Sequence, residues 1–181
     1  MVIAFVLVGS LVVVLGAAVA AVGVYRVQGA SMRPTLADGE LLLANPLARN
    51  PDRFAVVVYD VNGTAAVKRV IGLPGDRVRI LAAPANLVQV QPGAAGPWHT
   101  VVDATGGTWP PAPHPALTCC APDGRASVAP EGALVPVGQY FLLGDNPAES
   151  IDSRAEGFVP AQRVRGTAVL ASDGAAPRLR S

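Results

Sequence analysis

Ser31 lies in the stretch Gly29-Ala30-Ser31-Met32-Arg33-Pro34-Thr35-Leu36, a serine with glycine two residues before it and proline three after. A serine hydroxyl is a weak nucleophile until a base takes its proton, so the chain must bring a base to it. The histidines, His99 and His114, fall in a proline-rich stretch, and His114 stands between Pro113 and Pro115, a poor scaffold for a dyad. The cations offer another base. Of the 14 Lys and Arg residues, thirteen are arginine and only Lys68 is lysine. Arginine does not release its proton in a protein, whereas a desolvated lysine can. Composition alone leaves open a lysine on a solvated face. The neighbourhood argues otherwise, because Ala65-Ala66-Val67-Lys68-Arg69-Val70-Ile71-Gly72-Leu73-Pro74-Gly75-Asp76 reads as an apolar strand ending in a Pro-Gly turn.

The elements that must position these groups read as mainly β. Residues 41–44, 54–61, 65–71, 77–81, 140–143 and 164–171 are short valine-rich runs bounded by Gly, Pro, Asn and Asp. Asn62-Gly63 signals a hairpin, which puts Lys68 on the second strand of a ribbon. A catalytic β core is expected over 26–81 and 138–172. Between them, 82–137 has a different texture: ten of the seventeen prolines, Gly106-Gly107 and both tryptophans, Trp98 and Trp109. This predicts an insert folded as a small β subdomain, its tryptophans packed on that subdomain or dipping into a lipid interface. The adjacent Cys119 and Cys120 can close only a strained ring and fall far short of a metal site, and no cofactor is expected. Residues 173–181 read as a flexible tail.

Residues 2–24 carry no charge. As a helix they span roughly 34 Å at about 1.5 Å per residue, enough to cross a bilayer. No basic residue precedes Ala18-Val19-Ala20, which argues against a cleaved leader, and the run is apolar on every face, which argues against a core helix. One transmembrane helix over 1–25 is therefore expected, with the lipid bilayer as a partner. Arg26 and Arg33 follow it, so loop charge by itself points weakly toward the inner side. A net charge of +1 gives no footprint for nucleic acid, and no feature signals an oligomeric state.

The serine box, Gly-x-Ser-Met-x-Pro-Thr-Leu, and the lysine box, Lys-Arg-Val-Ile-Gly-Leu-Pro-Gly-Asp, are joined by a third stretch from Gly144 to Pro160. That stretch holds Gly144-Asp145-Asn146, then Ser150-Ile151-Asp152-Ser153-Arg154, then Gly157-Phe158-Val159-Pro160. In type and order the three resemble the boxes of bacterial type I signal peptidases. The boxes cover about a fifth of the chain, and with the anchor and strands between them the resemblance frames nearly all of it. It departs at Pro147, where many members carry arginine, and at Asp52-Arg53-Phe54, which replaces a more usual Arg-Gly-Asp lead.

The resemblance implies a signal-peptidase-like β fold and an endopeptidase on the outer face of the cytoplasmic membrane. Such an enzyme removes signal peptides from secretory preproteins after small residues of the Ala-x-Ala type. It implies Ser31 as nucleophile, Lys68 as general base, and Ser150 as a hydroxyl that orients the lysine. Asp152 would pair with Arg154, and Asp145 with Arg69. Because the base must be neutral, burial has to hold Lys68 well below the free value of about 10.4, and carboxylates must be kept off it. The Ser31 N–H is the expected oxyanion donor. Gly29 stands where some members supply a serine hydroxyl, so it could add only backbone or make room for substrate. Val27, Met32, Leu36 and Val67 match positions lining the family's apolar substrate pockets, beside which an extended peptide would pair with the edges at 27–30 and 65–67. Two alternatives remain at this stage: a specialised relative, such as a conjugation-system processing peptidase, and an inactive membrane-tethered β module.

Overall fold

The computed structural model describes residues 22–81, 87–103, 105–109, 132–169 and 177–180. The bulk of the expected anchor, His114, Cys119 and Cys120 lie outside them. The twelve described strands form two sheets. The larger runs β1 (Gly23–Arg26), β2 (Leu41–Asn45), β11 (Val164–Ala168), β3 (Val56–Val61), β4 (Thr64–Gly72), β9 (Gln139–Leu143) and β10 (Val159–Pro160) from edge to edge. The smaller runs β12 (Arg178–Arg180), β7 (His99–Val102), β6 (Leu87–Gln91), β5 (Arg77–Leu81) and β8 (Ala133–Leu134).

The β3–β4 hairpin is the spine of the larger sheet. Val61 faces Thr64 across Asn62-Gly63, and both turn residues take positive φ, 50° and 88°. That conformation is costly for most side chains and cheap for Asn and Gly, which is why this dipeptide sets the register. The register in turn places Lys68 opposite Val57 and Arg69 opposite Val56. Alternate residues of β3 feed two different cores: Val56 and Val58 one, Val57 and Tyr59 the other.

The first core packs Met32 and Leu36, from the turn after β1, onto Leu42, Ala44, Val56 and Val58. A further core joins the sheets, setting Ile71, Phe141 and Leu143 of the larger against Val78, Ile80, Val88, Val90 and Val101 of the smaller. Trp109 is buried there, while half-buried Trp98 lies under the Arg79 guanidinium, 4.2 Å from the ring centre.

Three stretches differ from the sequence reading. Gly23, Val24 and Tyr25, assigned to the anchor, begin strand β1, because they pair with Ala44, Leu43 and Leu42 of β2. Residues 178–180, assigned to a flexible tail, add a strand to β7. The strand predicted over 164–171 runs from Val164 to Ala168 within the described residues, which stop here at Val169, with a register shift between Val164 and Gly166. No described helix is long and apolar enough to cross a membrane.

Candidate active site

The loop between β1 and β2 closes on itself. Val27 N–H donates to Glu40 O at 2.8 Å, and Gly39 N–H to Val27 O at 2.9 Å. Inside it, Arg33 N–H donates to Ala30 O at 3.1 Å and Leu36 N–H to Met32 O at 2.9 Å, forming the tight turn that carries Ser31. Met32 and Leu36, each 1% exposed, root this turn in the core. The result is a serine on a rigid turn whose N–H has no hydrogen-bond partner among the described residues.

Lys68 reaches that serine from β4. Its Nζ donates to Ser31 Oγ at 2.9 Å and to Val67 O at 3.0 Å, and the residue is 5% exposed. Burial is the largest influence on the amine and pushes its pKa below the ordinary lysine value. The carboxylates of Asp152, Glu156 and Asp145 pull the other way and Arg154 offsets them, but burial wins. Glu156, an exposed residue of the short helix α1 (Ser153–Glu156), had no role in the sequence reading.

The loop from Gly144 to Arg154 is braced by two buried ion pairs. Asp145 accepts from Arg69 Nε at 2.8 Å and Nη2 at 2.6 Å, and from the Thr35 hydroxyl. Arg69 Nη1 donates to Phe54 O at 2.8 Å, so this pair joins the Ser31 turn, the hairpin and the loop. Asp152 caps α1, accepting from Arg154 N–H at 3.2 Å and Arg154 Nε and Nη2 at 2.8 Å each. It also accepts from Gly144 N–H at 2.9 Å. Arg154 Nη2 then donates to Pro147 O at 3.1 Å and Ser150 O at 3.2 Å. With so many donors both carboxylates are held in place and compensated, as buried charges must be.

Two residues with expected roles bond elsewhere in this geometry. The Ser150 hydroxyl donates to Asp152 Oδ2 at 2.7 Å, and neither hydrogen bond of the Lys68 amine goes to it. Gly29, at φ +83°, donates its N–H to Asp38 Oδ1 at 2.8 Å, so that donor is engaged by a loop carboxylate rather than offered to an oxyanion. Asp38 was missed because its reach to Gly29 depends on how the 27–40 loop closes.

Beside Ser31 and Lys68 runs a cleft of about 400 Å³, lined by Tyr25, Arg26, Val27 and Gln28 on one wall and Thr64 to Lys68 on the other, with Met32 between. β9 pairs with β4 only from Arg69 to Gly72, which leaves the Thr64–Lys68 edge unpaired among the described residues. Val27, Met32 and Val67 line this cleft, whereas Leu36 is buried in the core and is not among its lining residues. Among the described residues no group of three or more His, Cys, Asp or Glu could hold a metal ion.

Comparison with known proteins adds three likenesses. The signal peptidase I of Bacillus caldolyticus is 32% identical over 160 residues, covering 78% of this chain and 74% of its own. The signal peptidase IB of Staphylococcus aureus is 31% identical over 152 residues, covering 78% and 73%. A crystal structure of a signal peptidase I from Enterococcus faecalis is 25% identical with a TM-score of 0.44, over 66% of this chain and 97% of that one. The family model described as signal peptidase, peptidase S26, matches residues 1–172. On that match, and on the identity to the curated relatives, the chain belongs to the signal peptidase family, peptidase S26.

Proposed function

We propose that the chain is a membrane-anchored serine endopeptidase that removes signal peptides from secretory preproteins, with Ser31 as nucleophile and Lys68 as general base. The observation that carries this reading is the 2.9 Å contact between Ser31 Oγ and an amine that burial pushes toward its neutral form. Neutral Lys68 accepts the hydroxyl proton as Oγ attacks the carbonyl carbon of the scissile bond. The Ser31 N–H meets the developing oxyanion. The protonated amine then returns its proton to the leaving nitrogen, and a water activated by the same lysine clears the acyl group.

The cleft supports an extended precursor added between the Tyr25–Gln28 wall and the open edge of β4, with main-chain bonds giving affinity. Val27, Met32 and Val67 then close on the side chains before the cut, which suits alanine-sized residues. The apolar run supports an anchor even with β1 starting at Gly23, since the 21 residues from 2 to 22 still span roughly 31 Å as a helix. The catalytic domain would then stand on the outer face, where exported precursors emerge.

An acylating inhibitor tests the nucleophile directly. Intact mass should show one adduct on the wild-type chain, mapped to Ser31, and none on Ser31→Ala, which should also fail to cleave an Ala-x-Ala precursor. Cleavage by Ser31→Ala at the wild-type rate would sink the reading.

A further inference from the structure

Two hydrogen bonds reach the nucleophile turn from one residue that has no place in the machinery above. Asn146 Nδ2 donates to Ala30 O at 3.1 Å, and Asn146 N–H donates to Ser31 O at 3.0 Å. The carbonyls on both sides of Ser31 are thus tied to a residue far along the sequence. Ala30 O is the carbonyl of the same peptide unit that carries the Ser31 N–H. A trans peptide is planar, so its C=O and N–H point in opposite directions. Whatever grips the oxygen therefore aims the hydrogen. Ala30 O accepts from Asn146 on one side of the turn and from Arg33 N–H within it, while the Ser31 N–H has no partner among the described residues.

Asn146 is itself held. It precedes the short 3₁₀ turn at Pro147–Glu149, and Glu149 N–H donates to its carbonyl at 3.2 Å. Arg154, fixed on Asp152, grips the carbonyl of buried Pro147 next along. Pro147 has no N–H to lose and restricts Asn146 to extended backbone, seen at φ −112° and ψ 92°. The chain of contacts runs from Asp152 through Arg154 and Pro147 to Asn146, and from there to the peptide plane of the nucleophile.

We propose that Asn146 is a positioning residue that aims the Ser31 N–H at the oxyanion, by holding the Ala30–Ser31 peptide plane through its side-chain amide. The inference rests on Ser31 being the nucleophile. In the step concerned, Ser31 Oγ bonds to the carbonyl carbon, its proton passes to Lys68 Nζ, and the π pair moves onto the former carbonyl oxygen. Asn146 touches none of these atoms. Its contribution is felt only once charge develops on that oxygen.

The test uses the full chain with Asn146→Ala and with the isosteric Asn146→Asp. The Asp variant keeps the backbone donor but turns an acceptor toward Ala30 O. Both should lower kcat by about 10- to 100-fold, in line with weakening one oxyanion donor. KM should stay within about twofold. The pH midpoint of activity should not move in Asn146→Ala, which adds no charge near Lys68, whereas the carboxylate of Asn146→Asp should move it toward alkaline pH, so kcat is compared on the alkaline plateau of each variant. A peptide aldehyde ending in Ala-x-Ala, which forms a tetrahedral adduct with Ser31, should lose affinity by the same factor as kcat. The corresponding peptide alcohol, which forms no adduct, should bind both variants as it binds wild type. Turnover within about threefold of wild type in a variant with wild-type circular dichroism would overturn the proposal. So would a moved pH midpoint in Asn146→Ala, or an equal loss for aldehyde and alcohol in either variant, each of which marks a merely structural role. Should Asn146→Ala lose the wild-type circular dichroism, Asn146→Asp carries the kcat and the aldehyde–alcohol readouts. Activity surviving in Ser31→Ala would instead remove the assignment of the nucleophile, so the two failures are told apart.

Discussion

Replacing Gly144 by alanine is a sharp test of how tightly the nucleophile turn and the Gly144–Arg154 loop are fitted. A Cβ at Gly144 would stand 2.2 Å from Ser150 Oγ and 2.6 Å from Ser31 O, against 3.4–4 Å for ordinary contact. The serine hydroxyl could rotate away, at the cost of its bond to Asp152. The Ser31 carbonyl cannot, because it belongs to the backbone of the nucleophile and is held by Asn146 N–H at 3.0 Å. Relief needs a backbone shift of about 1 Å, and a misplacement of that size at a reacting group costs on the order of 10²-fold in rate. At 1.36 kcal/mol per tenfold that is about 2.7 kcal/mol of transition-state stabilisation. The assay is kcat/KM on a purified Ala-x-Ala precursor, with thermal unfolding alongside. Gly138→Ala serves as the comparison: its φ is +73° but a Cβ there meets nothing within 4 Å, so it should cost stability through strain and leave cleavage unaffected. A folded Gly144→Ala enzyme with kcat/KM within about threefold of wild type would refute the argument from crowding.

Glu156→Gln removes a carboxylate that raises the pKa of Lys68, so the amine should lose its proton at lower pH. The rise of activity with pH should move toward acid and rates on the acid limb should increase; an unmoved or alkaline-shifted profile would contradict it. Leu36→Ala should cost about 2–5 kcal/mol of stability, read from denaturant unfolding, without altering which residues are accepted before the cut. Met32→Ala, by contrast, opens the cleft and should admit bulkier residues in the same cleavage panel.

The β3–β4 hairpin was legible because Asn62-Gly63 demands positive φ at two successive positions, and the lone lysine stood out against a background of arginine. What the sequence hid depends on contacts formed at a distance. Strand β1 was hidden because Gly23 and Val24 continue an apolar run, and only pairing with Leu43 and Ala44 distinguishes strand from anchor. Strand β12 is three residues whose order comes from β7, not from any pattern of its own. Within the insert, Val88–Gln91 does alternate apolar and polar residues, and that period-two signal was masked by the surrounding prolines. At the site, sequence order could bring Gly29 close to Ser31 but not reveal that Asp38 takes its N–H. Leu36 looked like a pocket residue by position, whereas a turn closed between Leu36 N–H and Met32 O turns it into the core. Asn146 and Thr35 sat within the recognised boxes, yet their partners, Ala30 O and Asp145, appear only when the loops meet.

The central claim is that a buried, neutral Lys68 takes the Ser31 proton, and the rate of precursor cleavage by Lys68→Arg across the pH range tests it most directly. The variant keeps a cation on β4 but one that cannot give up its proton, so the account predicts a folded protein with no turnover at any pH. Lys68→Met, which keeps the bulk and drops the amine, should be equally inactive. Near-normal cleavage by Lys68→Arg, rising with pH as the wild type does, would show that some other group serves Ser31.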